Sequence, residues 1–281
     1  MKIKITSDST CDLSNDQIKN NDIGIFCLTV ILGDKYYKDG EISPNDIFDF
    51  VKQTGTLPKT AAGAPEEYSE FFAENIKGYD ALIHVNISSQ ASSSHSAACV
   101  AAEEFNGKVY VIDSKALSSG QGLLVLKACD LVTEGRSAEE VVQIINDLRS
   151  KVNTSFIPDA LDYLHKGGRC SLAALIGAKV LKLHPLICEN SSGQLIAKKK
   201  YMGGMSRCIR AYAEDLREQY PNYDKTRCFI THSSADRELV DLAKQLVSEN
   251  FEFDEVCETF AGSIVTSHCG RNTLGILFIS E

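Results

Sequence analysis

Apolar residues recur along the chain in two rhythms, and the rhythms alternate. Lys2–Ser7 alternates polar and apolar and reads as a strand, and Ile23–Leu32 is an apolar run that reads as extended. Tyr68, Phe71 and Phe72 lie three and four apart, which predicts a helix over Pro65–Ile76. Ala81–Ile87 reads as a strand, Ser94–Phe105 as a helix, Lys108–Asp113 as a strand and Leu117–Thr133 as a helix. Gly135-Arg136 closes that unit, and Ser137-Ala138-Glu139-Glu140 fits a capping box that opens the next helix, over Ser137–Val152. Repeated strand–helix steps of this kind predict an α/β fold with a mainly parallel sheet.

The second half has a different texture. Thr154–Ile157 reads as a strand, Leu161–Lys166 as a short helix broken by Gly167-Gly168, and Ser171–Leu183 as a helix. His184–Glu189 and Gln194–Lys199 form a hairpin pattern around Asn190-Ser191-Ser192-Gly193. Helices at Ser206–Tyr220 and Ala235–Glu249 flank a strand at Arg227–Thr231, and Val256–Phe260 and Thr273–Ser280 close the chain as strands. The change of texture places a domain boundary near 150. The expected organisation is two α/β domains, 1–150 and 151–281.

Composition narrows the function classes. In 281 residues the formal charge is −9, and the only basic run is Lys198-Lys199-Lys200, which disfavours a nucleic-acid partner. The longest stretch without formal charge, Ala81–Ala102, holds six serines, two histidines, Asn86 and Gln90 and is no membrane span. Ten cysteines stand singly with no CxxC, several in or beside apolar runs such as Ile25-Phe26-Cys27-Leu28. That usage fits a reducing compartment, so the expectation is a soluble cytoplasmic protein. None of the six histidines forms HExxH or a zinc spacing, and no P-loop signature occurs, so neither a metal nor a nucleotide cofactor is expected.

The segment Ile87-Ser88-Ser89-Gln90-Ala91-Ser92-Ser93-Ser94-His95 carries the strongest chemical signal. It follows a predicted strand and opens a predicted helix, whose first N–H groups lack internal partners and carry partial positive charge. Hydroxyls beside them suit a carboxylate or phosphate. One serine would be an ordinary cap, but six between 88 and 96 exceed that need. Asp8-Ser9-Thr10-Cys11-Asp12-Leu13-Ser14 is either a second polar turn at the same sheet edge or the cap of a helix starting near Leu13. Leu57–Pro65 reads as a surface turn, although Thr60 would suit an anion site. His268 lies in a polar turn between apolar runs, as a hydrogen-bonding or a structural histidine. Arg169, after Gly167-Gly168, suits a carboxylate, a phosphate or a plain ion pair. Ala116-Leu117-Ser118-Ser119-Gly120 is close to a nucleophile elbow, but Ser114 and Lys115 separate it from the strand.

Taken in order, these segments resemble the DegV family of bacterial fatty-acid-binding proteins. The matching pieces are Asp8-Ser9-Thr10-Cys11-Asp12-Leu13, Leu57-Pro58-Lys59-Thr60, Ser88-Ser89-Gln90-Ala91-Ser92, Asp113-Ser114-Lys115 with Gly120-Gln121-Gly122, Leu164-His165-Lys166-Gly167-Gly168-Arg169, and His268-Cys269-Gly270. The resemblance implies one long-chain fatty acid held between two α/β domains, its carboxylate bound by the hydroxyls of Thr60 and Ser92. Ser93, Ser94, Arg169 and His268 fall in the implied head-group vicinity. It also implies a non-enzymatic carrier without a cofactor, serving lipid synthesis. A separate ATP-dependent kinase would phosphorylate the carboxylate to an acyl phosphate. The sequence departs from the family pattern at Ala61, where a Ser commonly follows the Thr, at Ser93 in place of a frequent Gly, and at Arg271-Asn272 in place of Pro-Gly. Burying roughly 15 methylenes gains on the order of 12 kcal/mol before ordering costs, so the tail would supply the affinity. Two other classes stay open: a serine acyl hydrolase using Ser118 or a loop serine, and a binding module for another small anion.

Overall fold

The computed structural model describes residues 1–159, 161–169 and 183–281. Its strands up to residue 113 are β1 (Ile3–Asp8), β2 (Gly24–Phe26), β3 (Thr29–Leu32), β4 (Lys35–Lys38), β5 (Lys59–Ala61), β6 (Ala81–Asn86) and β7 (Val109–Asp113). The later strands are β8 (Val152–Asn153), β9 (Ser155–Ile157), β10 (Leu183–Glu189), β11 (Leu195–Met202), β12 (Tyr223–Ser233), β13 (Glu255–Phe260) and β14 (Thr273–Ser280). The helices are α1 (Asn15–Asn20), α2 (Pro44–Thr54), α3 (Pro65–Asn75), α4 (Ser94–Ala102), α5 (Ser118–Thr133) and α6 (Ala138–Leu148). Beyond them come α7 (Asp162–Lys166), α8 (Met205–Gln219), α9 (Arg237–Asn250) and α10 (Ser263–Cys269).

The α/β fold is as the alternating pattern predicts. A four-stranded parallel sheet runs β2-β1-β6-β7. Every residue of β1 and β6 is buried, as expected for inner strands of a parallel sheet covered on both faces. Their polar residues are paired inside: Thr6 Oγ1 lies 2.9 Å from His84 Nδ1, and Ser7 Oγ donates to the Val85 carbonyl at 2.8 Å. The second sheet is seven-stranded, in the order β11-β10-β9-β14-β12-β13 with β8 beside β14, and only β12 and β13 pair in parallel. A three-stranded antiparallel sheet, β4-β3-β5, completes the set.

Helix α5 joins the two large sheets. Twelve of its residues are buried, and one apolar cluster holds Ile5 and Val85 of the parallel sheet, Leu124 and Val125 of α5, and Phe229 and Leu277 of the mixed sheet. Two glycines allow this approach: a Cβ on Gly122 would stand 2.6 Å from the Cys11 carbonyl, and one on Gly120 would stand 2.1 Å from Thr154 Oγ1. Close packing, rather than phosphate binding, is the use of Gly120-Gln121-Gly122.

Several details differ from the sequence reading. The run Ile23–Leu32 is two strands in two sheets, because the chain leaves the parallel sheet after Phe26 and pairs Thr29–Leu32 with Lys35–Lys38. Helix α2 went unread although Ser43 caps it and Pro44 opens it. The helix expected over Ser171–Leu183 lies almost wholly outside the described residues. The Ser137 capping box forms with both hydrogen bonds, and the Asn190–Gly193 hairpin joins β10 to β11.

A buried hydroxyl closes the mixed sheet onto α8. Tyr212 Oη donates to the Ser155 carbonyl at 2.8 Å and accepts from the Ile276 N–H at 3.1 Å, spanning β9 and β14. Tyr212→Phe leaves both backbone groups short of a partner. We expect a loss of about 1–3 kcal/mol, read from urea unfolding, with unchanged far-ultraviolet dichroism.

Candidate functional site

Strands β1, β6 and β7 end at one edge of the parallel sheet. After β1 the chain first builds β2 on one side, and β6 later adds on the other, so the strand order reverses between β1 and β6. Crevices at such points are where open α/β sheets take ligands. Asp8, at the end of β1, fixes the loop that leaves β6. Its carboxylate accepts from Tyr68 Oη at 2.7 Å, from the Ile87 N–H at 3.0 Å and from Asn86 Nδ2 at 3.1 Å, with His84 Nε2 at 3.3 Å.

The serines of that loop divide into two groups. Ser88 Oγ donates to the Gly193 carbonyl at 2.7 Å, and Ser89 binds Asp113 through both its N–H and its hydroxyl. These two fasten the loop. Ser92 and Ser93 face a cavity, and buried Ser94 stands behind them with its hydroxyl 2.8 Å from Ser92 Oγ. Of the six serines between 88 and 96, two line the cavity.

The cavity has a volume of about 260 Å³. Its apolar walls come from separate parts of the chain: Leu28 before β3, Ile87 after β6, Phe156 of β9, Leu195 of β11, Ile264 of α10 and Leu277 of β14. Thr60, Ser92, Arg169 and His268 also line it. The segment around Thr60 is no plain surface turn. Lys59–Ala61 is strand β5, paired with β3, and this holds Thr60 against the cavity. His268 is likewise not in a turn but in the last turn of α10, a helix built from Ser-Ile-Val-Thr-Ser-His-Cys without the usual helix formers. Burial of Ile264, Thr266 and Ser267 overrides that weak propensity.

Thr60 Oγ1 and His268 Nε2 meet at 2.8 Å across 208 positions of sequence. The ring is pressed against the Gly167 backbone, and its Nδ1 is buried without a partner among the described residues. Burial pushes the His268 pKa down to about 4, and the Arg169 charge adds to the shift, so the ring is neutral at pH 7. Arg169 is exposed, donates to the Gly167 carbonyl at 2.6 Å and forms no ion pair among the described residues.

Two carboxylates place the helix that carries His268. Asp12 Oδ1 accepts from the Gly262 N–H at 2.8 Å, and Asp39 Oδ1 accepts from the Ser263 N–H at 2.8 Å. Burial pushes the Asp12 pKa up to about 8. Ser118 donates to Asp12 Oδ2 at 2.5 Å and has the left-handed backbone of a tight elbow, with φ of 54°. Among the described residues no imidazole hydrogen-bonds Ser118, whose hydroxyl is tied to Asp12 instead. Asp39 and Thr154 were not legible as site residues, and the contact of Asp12 with Ser118 and with α10 was not legible either, since only the fold brings these residues together.

This geometry can be set beside known proteins. The family model described as "Uncharacterised protein, DegV family" matches residues 2–281. The chain belongs to the DegV family. A DegV domain-containing protein of Clostridium acetobutylicum is 32% identical over 282 residues, covering 100% of this chain and 99% of the relative. Among solved structures, a DegV family protein of Thermus thermophilus, described for its fatty acid binding, aligns with a TM-score of 0.93 at 28% identity over 100% of both chains. A Thermotoga maritima protein described as revealing a fatty acid binding function aligns with a TM-score of 0.85 at 28% identity, again over 100% of both. Among the described residues of this chain, no helix is long and apolar enough to cross a membrane.

The lowered pKa of His268 has a sign that can be checked. The unfolded ring titrates near 6.5 and binds more protons than the folded one between pH 6.5 and about 4. The stability from the neutral ring is present above pH 6.5 and is lost as pH falls towards 4. Thermal unfolding of the native chain should therefore lose stability over that window relative to His268→Gln. The expected difference is on the order of 2 kcal/mol, discounted for the ring's partial exposure. Parallel curves for the two proteins would show that the ring is not held neutral.

Proposed function

We propose that this chain binds one long-chain fatty acid in the cavity, with the carboxylate at Thr60 and Ser92. His268 orients the Thr60 hydroxyl, Ser93 and Ser94 complete the loop side, and Arg169 stands at the edge of the head-group region. The observation that carries this reading is the Thr60–His268 pair, which lines, together with Ser92, a largely apolar cavity. The walls are furnished by strands and loops on either side of residue 150, which is the basis for reading 1–150 and 151–281 as two units with the ligand between them. The similar proteins described as binding fatty acids support the ligand class.

We further infer a carrier rather than an enzyme, which presents the carboxylate to a separate ATP-dependent kinase and so feeds acyl phosphate to lipid synthesis. The chain holds no P-loop signature of its own, and the exposed Arg169 guanidinium is suited to pair with the oxygens of a phosphoryl group brought to the carboxylate. The departures from the family pattern fit this reading. Ala61 and Ser93 both line the cavity, so head-group hydrogen bonding is confined to fewer side chains on one strand and spread further along the loop. Asn272 takes φ of 58°, which Asn tolerates, and accepts from the Asp236 N–H at 3.1 Å, so the turn after α10 is kept without Pro-Gly.

Native mass spectrometry of the purified protein, followed by lipid extraction, tests the ligand. We expect one fatty acid per chain, and a drop in affinity of about tenfold or more for Thr60→Ala and for Ser92→Ala, since hydrogen bonds to a charged group are lost. Protein that carries no lipid and refuses added fatty acids would overturn the reading. Acyl phosphate formed from ATP by this chain alone would overturn the carrier role.

A further inference from the structure

The serine loop touches the tip of the β10–β11 hairpin, and that tip is a loosely held piece of the cavity wall. β11 is the outermost strand of the mixed sheet and pairs with β10. β10 in turn pairs with β9 through Ile187 with Phe156 and Cys188 with Ser155. The tip, Asn190–Gln194, overhangs beyond that ladder. It is a stiff turn: Asn190 Oδ1 accepts from the N–H groups of Ser192 and Gln194, both at 3.0 Å, and the Gly193 N–H donates to the Asn190 carbonyl at 2.9 Å.

Among the described residues, two hydrogen bonds join this tip to the rest of the fold. Ser88 Oγ donates to the Gly193 carbonyl at 2.7 Å, and Lys115 Nζ donates to the Ser191 carbonyl at 3.2 Å. The seat is close: Gly193 has φ of 87°, and a Cβ there would run into Ser88 Oγ and stand 3.0 Å from Lys115 Cα. Leu195, the first residue after the tip, is buried in an apolar cluster with Phe156 and Leu164 and lines the cavity. Ser88 also shapes the head-group loop, since its carbonyl accepts from the Ala91 N–H at 2.9 Å and the Ser92 N–H at 3.2 Å. One residue thus carries both the turn that presents Ser92 and the tie that keeps Leu195 against the cavity.

We propose that the β10–β11 tip is a latched strap on the side of the cavity, and that its release from Ser88 and Lys115 is the step that admits and discharges the acyl chain. This rests on the fatty-acid reading of the cavity and adds a gate to it. Segments held by few hydrogen bonds open locally far more often than the whole chain unfolds. A lifted tip draws Leu195 with it and opens an apolar slot beside Phe156. The Ser88 hydroxyl and the two carbonyls it leaves come into water, so opening strands no polar group in the interior. Burial of Leu195 returns the strap to its seat.

The test is stopped-flow binding and displacement of cis-parinaric acid, a fluorescent long-chain fatty acid. It is run on the native chain, on Lys115→Met and on the double variant Ser88→Ala/Lys115→Met. A strap that closes over the free and the loaded chain alike gates both directions. Weakening it multiplies the association and dissociation rates by one factor and leaves their ratio, the Kd, unchanged. Lys115 does not line the cavity, so Lys115→Met removes one tie without touching the site. It should raise both rates by about fivefold, the worth of one net hydrogen bond. The double variant should raise the dissociation rate further. If it does not fold, Lys115→Met decides alone. Unchanged rates in Lys115→Met, with the acid still bound, overturn the strap. So does a faster dissociation with unchanged association, which would make Lys115 a support of the bound state rather than part of a gate. Failure of the native chain to bind parinaric or any other long-chain acid would overturn the fatty-acid reading and the strap together, and so is distinguishable from failure of the strap alone.

Discussion

A buried carboxylate, Asp8, is the constraint on which the site edge depends. A carboxylate taken out of water is costly unless hydrogen bonds replace its hydration. Here the donors come from three different places: the Tyr68 hydroxyl on α3, the Asn86 amide at the end of β6, and the first N–H of the serine loop at Ile87. His84, on the adjacent strand, faces the same carboxylate and is held on its other nitrogen by Thr6. Each donor can be satisfied only if β1, β6, α3 and the loop take these relative positions. The cluster therefore specifies where the loop departs, which is the property a binding edge needs, and of its members only Ile87 lines the cavity.

The same logic extends to the second wall. The loop set by Asp8 is tied to the β10–β11 hairpin through Ser88 and Gly193, and Lys115 reaches the Ser191 carbonyl at 3.2 Å. α5 supplies the apolar counterpart, lying between the two large sheets on glycines that permit backbone contact. The cavity is the space left between these pieces, lined by residues of strands, of α10 and of the loops that they hold in place. α10 is held to the same frame at its N-terminus by Asp12 and Asp39, which transmits the position of β1's exit loop to His268 one helix length away.

Much of this was legible in the sequence, for reasons that can be named. Strands β1, β6 and β7 and helix α5 carry their identity in local periodicity, and the Ser137 box and the Asn190–Gly193 turn carry theirs in local chemistry. Thr60 and His268 were each visible as residues, and the family resemblance put both near the head group. Their direct contact was not visible, because a hydrogen bond across 208 positions leaves no trace in spacing. α10 was misread since its β-branched and serine-rich composition suits a strand or turn, and only burial makes it helical. The serine cluster was legible as a cluster but not in its parts: composition counts hydroxyls, whereas the backbone decides that Ser88 and Ser89 turn into the protein and Ser92 and Ser93 line the cavity.

Under the proposed function, the head-group chemistry fits a carrier better than a sink. A carboxylate buried against a fixed cation is hard to release, because separating the pair leaves an unpaired charge behind. Among the described residues the groups facing the cavity include hydroxyls and the His268 imidazole, which burial keeps neutral, while Arg169 stays exposed at the edge. Neutral donors orient the carboxylate through hydrogen bonds and leave no uncompensated charge when it departs. Affinity then resides in the apolar walls and scales with chain length, and the reactive end is left positioned but not electrostatically trapped. That separation of affinity from head-group chemistry lets one cavity hold an insoluble chain firmly and still offer its carboxylate to a second protein.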